Sequence, residues 1–184
     1  MLKNNIHSYG WLTIILHWLS AISILGMFAL GLWMVDLNYY NVWYTDAPHY
    51  HKSIGLILAA LIACRLIWKF RQIKPHGIGK PWEKAAAKIM HMMLYVGLLS
   101  LFLTGYLIST ADGRGIDIFN WMTVPSLGEW FDNQEDIAGD VHEWLAYILM
   151  ALVAVHVVAA LKHHFINKDA TLIRIIKPST QAKD

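Results

Sequence analysis

A chain of 184 residues that is 57% hydrophobic and only 15% charged, with a mean hydropathy of +0.40, is too apolar for an ordinary water-soluble domain of this length. The composition implies an integral membrane protein with lipid as a partner, and no nucleic-acid partner is expected. The net charge of +2 is small, but the charges behind it are unevenly placed.

Four runs are long enough to cross hydrocarbon, which takes about 20 residues at 1.5 Å of rise each. The fold class expected is an all-α membrane protein: a four-helix bundle forming a single domain over 1–184, with helices at about 11–35, 51–70, 89–109 and 142–165. The first run, Trp11 to Val35, carries Trp11 and Trp18 near one end and Trp33, Tyr39, Tyr40, Trp43 and Tyr44 near the other, as interfacial anchors do. It is as long as a full span and no small-residue cleavage pattern follows, so it is expected to stay in the mature protein. His17 lies within it.

The second run opens on His51 and contains Gly55, Cys64 and Arg65. Gly55, one turn after His51, leaves room for a bulky group or simply packs helices closely. Cys64 is the only cysteine, so no intramolecular disulfide forms and no CxxCH attachment site exists. It reads as a small buried packing residue. The connection 71–88, with Pro75, Gly77, Gly79 and Pro81, forms turns leading to a short basic start of the third run, near which His91 stands.

The long connection 110–141 joins turn residues to Phe119, Trp121, Trp130 and Phe131, and reads as a cap with a short interfacial helix around Leu127 to Asp136. The fourth run carries His142 at its head, His156 within, and His163 and His164 at its end.

Twelve of the fifteen Lys and Arg residues, from Lys3 to Lys183, lie beside the N-terminus, around 69–88 and in the C-terminal tail. The connections 36–52 and 110–143 hold ten of the thirteen acids, with only Lys52 and Arg114 as basic residues. The positive-inside rule then places both termini in the cytoplasm and makes 110–141 a loop on the outer face of the membrane.

Ionisable side chains inside a bilayer are costly and usually face the bundle interior. His142 and His156 are 14 residues apart on one helix, about 21 Å of rise and nearly four turns, so both point to the same side at opposite ends of the core. His17 matches the depth of His156, and His51 that of His142. Two depth-matched pairs are the pattern of two bis-histidine haem sites. Each iron would take two neutral imidazoles and offer no site for oxygen, which leaves electron transfer as the chemistry. Without a thioether attachment site, the groups would be two non-covalent haem b. Arg65 falls at the depth of the inner pair, to meet a propionate or to snorkel to the interface. His91, His163 and His164 stand near the cytoplasmic surface, where a quinone needs hydrogen-bond donors and protons, or where headgroups do.

The segments LHWLS around His17, YHKSIG around His51, HMMLY opening the third run, VHEWLAY with VHVVAALKHHF in the fourth, and NKDATLIRIIKP near the end resemble the bacterial cytochrome b561 family. Relatives of that family include the b-haem subunits of hydrogenases and formate dehydrogenases. The resemblance implies His17 with His156 and His51 with His142 as axial pairs on haem iron, and His163 at the place where members bind ubiquinone. Some members are superoxide oxidases, passing an electron from periplasmic superoxide to ubiquinone. The implied activity is therefore quinone-linked oxidoreduction between a periplasmic donor, superoxide or a redox protein, and ubiquinone. An outer surface of ten acids and two basic residues repels an anion and suits a cationic redox protein better. Two other readings are a haem-b membrane anchor of a larger oxidoreductase and a histidine-lined metal or proton transporter. The transporter requires polar residues along a pore, and the helix middles are Leu, Ile, Ala and Val.

Overall fold

The computed structural model describes residues 1–178, so Lys183 lies outside the described residues. Four helices are long and apolar enough to cross a membrane: α1 (Trp11–Val35), α2 (Asp46–Phe70), α3 (Pro81–Thr110) and α4 (Gln134–Phe165). Two strands, β1 (Ile116–Ile118) and β2 (Met122–Val124), stand between α3 and α4, and a short α5 (Ile173–Ile176) follows. Large apolar side chains such as Ile22, Leu25, Leu99 and Leu103 are exposed, as a lipid-facing surface demands. Cys64 is exposed as well, so it is not the buried packing residue expected.

Three helices begin earlier than hydropathy alone places them. α2 starts at Asp46 instead of His51, because an acid in the first turn complements the helix dipole and Ala47 is fully buried. α3 starts at Pro81, a residue preset for a first helical turn, and the Glu83 carboxylate accepts from the Lys80 N–H at 2.8 Å. α4 starts at Gln134, and no separate helix covers 127–136. Asn133 takes a left-handed φ of 56°, while the Gln134 side chain donates to the Leu107 carbonyl and accepts from the Trp130 N–H. His51 and His142 are therefore well inside their helices, a position polar first turns made possible.

The described chain forms two compact units, each built from parts of all four long helices. One comprises Met1–Ala21, Leu61–Tyr95 and the described part of Met150–Asp184. Its ends are tied together: the His76 N–H bonds to the Ile6 carbonyl, Arg174 to the His76 carbonyl, and Trp18 Nε1 to the Ile175 carbonyl.

The other unit, Ile22–Ala60 with Val96–Leu149, contains the antiparallel hairpin, in which Ile116 pairs with Val124 and Ile118 with Met122. Phe119 and Asn120 take positive φ values of 44° and 61° at its turn. Ser53, buried two residues after His51, pins the hairpin by donating to the Asp117 carbonyl and accepting from the Phe119 N–H, each at 3.1 Å. Tyr106 anchors the following segment through Pro125 and Leu127.

Candidate functional site

In the hairpin unit, His51 of α2 and His142 of α4 face each other with ring centroids 6.4 Å apart and planes at 73°. An imidazole nitrogen lies about 1.2 Å from its ring centre and a histidine–metal bond is about 2 Å, so imidazoles on opposite sides of one metal have centroids roughly 6 to 6.5 Å apart. The separation matches.

Thr104 of α3 sets the tautomer of His142. Its hydroxyl hydrogen goes to the Ser100 carbonyl at 3.0 Å, and its oxygen accepts from His142 Nδ1–H at 3.0 Å. With the proton on Nδ1, Nε2 keeps the lone pair that a metal requires. His51 Nδ1 is, among the described residues, the one buried side-chain nitrogen or oxygen without a hydrogen bond. A native fold tolerates such an atom where the ring has another task.

Two glycines flank these rings. A Cβ on Gly31 would lie 3.3 Å from His51 Cε1, and one on Gly105 would lie 3.3 Å from His142 Cε1. A Cβ on Gly55 would make only an ordinary contact, 3.6 Å from Met27 Cε, and would not touch either imidazole. Thr104, Gly31 and Gly105 were not legible as site residues, because each acts on a histidine of another helix. Separation, tautomer and bare flanks together fit a haem held by two imidazoles.

In the unit that carries the termini, His156 meets His91 of α3, with centroids 5.3 Å apart and planes at 67°. His17 Nδ1 accepts from the Arg65 guanidinium at 2.8 Å, which places the His17 proton on Nε2. Among the described residues no ring contact joins His17 to His156. Arg65 and Lys69 both lie over the Tyr95 ring, at 5.7 and 4.3 Å. His17, Arg65, His91 and His156 thus share one unit, with His91 against a candidate ligand instead of beside His163.

His163, in the last turn of α4, donates from Nδ1 to Asp169 Oδ2 at 2.6 Å. Burial raises the Asp169 carboxyl pKa, but hydrogen bonds from His163 and Thr171 outweigh it and hold the group below its ordinary value. Asp169 lines an open pocket of about 470 Å³ together with Gly79, Trp82, Glu83 and Lys162, and His163 lies behind its wall, against Gly79. Lys162 crosses the pocket to Glu83 at 2.7 Å and lies 5.6 Å from the Trp82 ring centre. Gly79 sits at φ 94°, where any L side chain is strained, and a Cβ there would lie 2.7 Å from Glu83 Oε2 and 3.3 Å from His163 Cε1. His164 packs against Phe165, at 4.8 Å between ring centroids.

Membrane-length helices that hold facing imidazoles in their interior suit a membrane protein that ligates haem. A family model described as prokaryotic cytochrome b561 matches residues 8–178. The chain is 44% identical over 179 residues to cytochrome b561 homolog 2 of Escherichia coli K12, covering 96% of this chain and 95% of that one. It is 34% identical to cytochrome b561 homolog 1 of the same organism, over 68% and 72% of the two chains. A protein of Yersinia pestis named probable superoxide oxidase is 26% identical, again over 68% and 72%. The chain belongs to the prokaryotic cytochrome b561 family. It is a multi-pass bacterial membrane protein of haem-b electron transfer.

Proposed function

We propose that the chain binds two haem b groups, one between His51 and His142 and one between His17 and His156, and moves electrons between a periplasmic donor and ubiquinone. The observation that carries the reading is the His51–His142 pair, 6.4 Å apart, with Thr104 fixing one ring for ligation through Nε2. Haem, when bound, would supply reversible one-electron exchange. The chain's residues do the rest: four imidazoles ligate, Thr104 orients, Gly31 and Gly105 leave space. Arg65 would exchange its bond to His17 for a propionate. The charge asymmetry supports an orientation with both termini in the cytoplasm and the helices in the inner membrane.

The pocket beside His163 takes the quinone ring in this reading. It is an open depression in which Trp82 offers an aromatic wall beside the polar Glu83, Lys162 and Asp169. The testing experiment is a pyridine haemochrome assay with protein quantitation. Two haems per chain are expected, and a ratio of one without loss in purification overturns the two-site reading.

Superoxide is the second donor reading, favoured by the relative named as a probable superoxide oxidase. The local charges oppose it. Arg114, one of the two basic residues on the outer connections, is paired with Asp112 and so offers little positive field to an anion. A cationic redox protein is the donor that the acidic face fits.

A further inference from the structure

We propose that Asp169 is the positioning residue of a carboxylate–imidazole relay in which His163 hands a proton to a quinone as it is reduced in the Trp82 pocket. The proposal rests on the quinone reading above and adds to it the source of that proton.

The end of α4 is built to bring Asp169 back onto His163. The N–H groups of Ile166 and Asn167 both bond to the Lys162 carbonyl, Lys168 turns the chain at a φ of 55°, and the Asp169 N–H then bonds to the His163 carbonyl at 3.1 Å. The same residue's Oδ2 accepts from His163 Nδ1, and its Oδ1 is fixed by the Thr171 N–H at 2.9 Å. Asp169 is thus bound to His163 through both backbone and side chain. Helix termination alone needs only the backbone contacts.

An ionised carboxylate only accepts, so Nδ1 carries hydrogen and Nε2 is the nitrogen that gains and loses a proton. The Asn167 amide, 3.2 Å from the same Nδ1, then turns its oxygen toward it, an orientation free to be assigned by the network. The other charged groups facing this corner are Glu83 and Lys80 from the start of α3 and Lys162 from α4 itself. Glu83 is already paired with Lys162 and bonded to the Lys80 N–H. Asp169 is left as the carboxylate that answers a positive imidazole. Side-chain exposures of 14% for His163 and 18% for Asp169 keep the pair shielded yet within reach of water.

Reduction of a quinone to a quinol takes two electrons and two protons. Haem, when bound, would supply the two electrons, one at a time. For the proton that His163 delivers, its Nε2–H bond breaks as an O–H bond forms on the quinone oxygen facing it, and Nε2 regains a proton from water; the oxygen at the far end of the ring takes its proton from water directly. Asp169 keeps its charge throughout and holds the ring in one orientation.

The test uses the haem-loaded full chain, pre-reduced with limiting dithionite and mixed with a short-chain ubiquinone while haem absorbance is followed. Asp169→Asn should lower the limiting rate of haem oxidation at least about tenfold, the scale of lost proton-transfer catalysis, with little change in the half-saturating quinone concentration. Asp169→Glu should restore much of that rate. Deuterated solvent should slow the wild type, and ferricyanide, which takes no proton, should oxidise every variant at the wild-type rate. Asp169→Ser carries the same expectation and serves if the asparagine variant loses haem.

A full quinone rate in both carboxylate-free variants overturns the relay, as does an equal loss with ferricyanide. His163→Ala and Trp82→Ala test the site itself. If both slow quinone reduction while Asp169→Asn does not, the relay falls and the site stands. If neither does, the quinone site is elsewhere and both readings fall.

Discussion

At the scale of single residues, the site depends on atoms that choose which nitrogen is free. Thr104→Val keeps the shape of the side chain but removes the oxygen that accepts His142 Nδ1–H. Loss of such an orienting partner typically costs about 10- to 100-fold in metal affinity, so haem held by His142 should be lost more readily on dilution or dialysis, with helical content intact. Equal haem retention in wild type and variant would show that the tautomer is set by another group. The ligands themselves should fall into pairs under redox titration. His51→Ala and His142→Ala should each remove one component, and His17→Ala and His156→Ala the other. If His17→Ala and His51→Ala removed the same component, the pairing would be wrong. Depth in an apolar run singled out all four histidines, and the structure brings His51 and His142 face to face, but it sets His156 against His91 instead of His17, because depth says nothing of how each helix is rotated. Thr104, Gly31 and Gly105 were not legible, since small residues are common in membrane helices and only the rotation of one helix against another decides which of them meets an imidazole.

At the scale of elements, hydropathy identified four spans but placed three starts too late. It measures where lipid begins, whereas Asp46, Glu83, Glu135 and Asp136 extend the helices in polar first turns, where acids are favourable. The hairpin was also missed. Its strands are only three residues each and its turn is made by Phe119 and Asn120, without the glycine that usually marks one. Gly115 is the residue on which its closure depends, because a Cβ there would come 2.6 Å from Thr123 Cγ2 and 2.7 Å from the Val124 carbonyl oxygen. Gly115→Val should therefore open the hairpin. Limited proteolysis within 111–133 should speed up while the haem spectrum changes little, and unchanged cleavage would mean that Ser53 and Tyr106 hold the segment without the strand pairing.

At the scale of the whole molecule, the division of charge follows the division into units. Through residue 178 the unit with the termini has twelve basic residues and two acids, Glu83 and Asp169, whereas the hairpin unit has Lys52 and Arg114 against ten acids. The Arg114 side chain holds the Asp112 carboxyl below its ordinary pKa, so that carboxylate stays ionised at neutral pH and cancels the guanidinium beside it. A net negative surface speeds encounter with cations and slows encounter with anions, and added salt weakens both effects as the Debye length falls from about 10 Å at 0.1 M to about 3 Å at 1 M. Haem reduction by a cationic redox protein should then slow as salt is raised, while reduction by superoxide should speed up or hold steady. Stopped-flow measurement of both reactions across that salt range decides between the donors. If superoxide instead reacts near the diffusion limit at low salt and slows steeply on adding salt, Lys52 supplies a local positive approach despite the acids around it. Lys52→Gln should then abolish that salt dependence, and superoxide would replace the cationic protein as the donor.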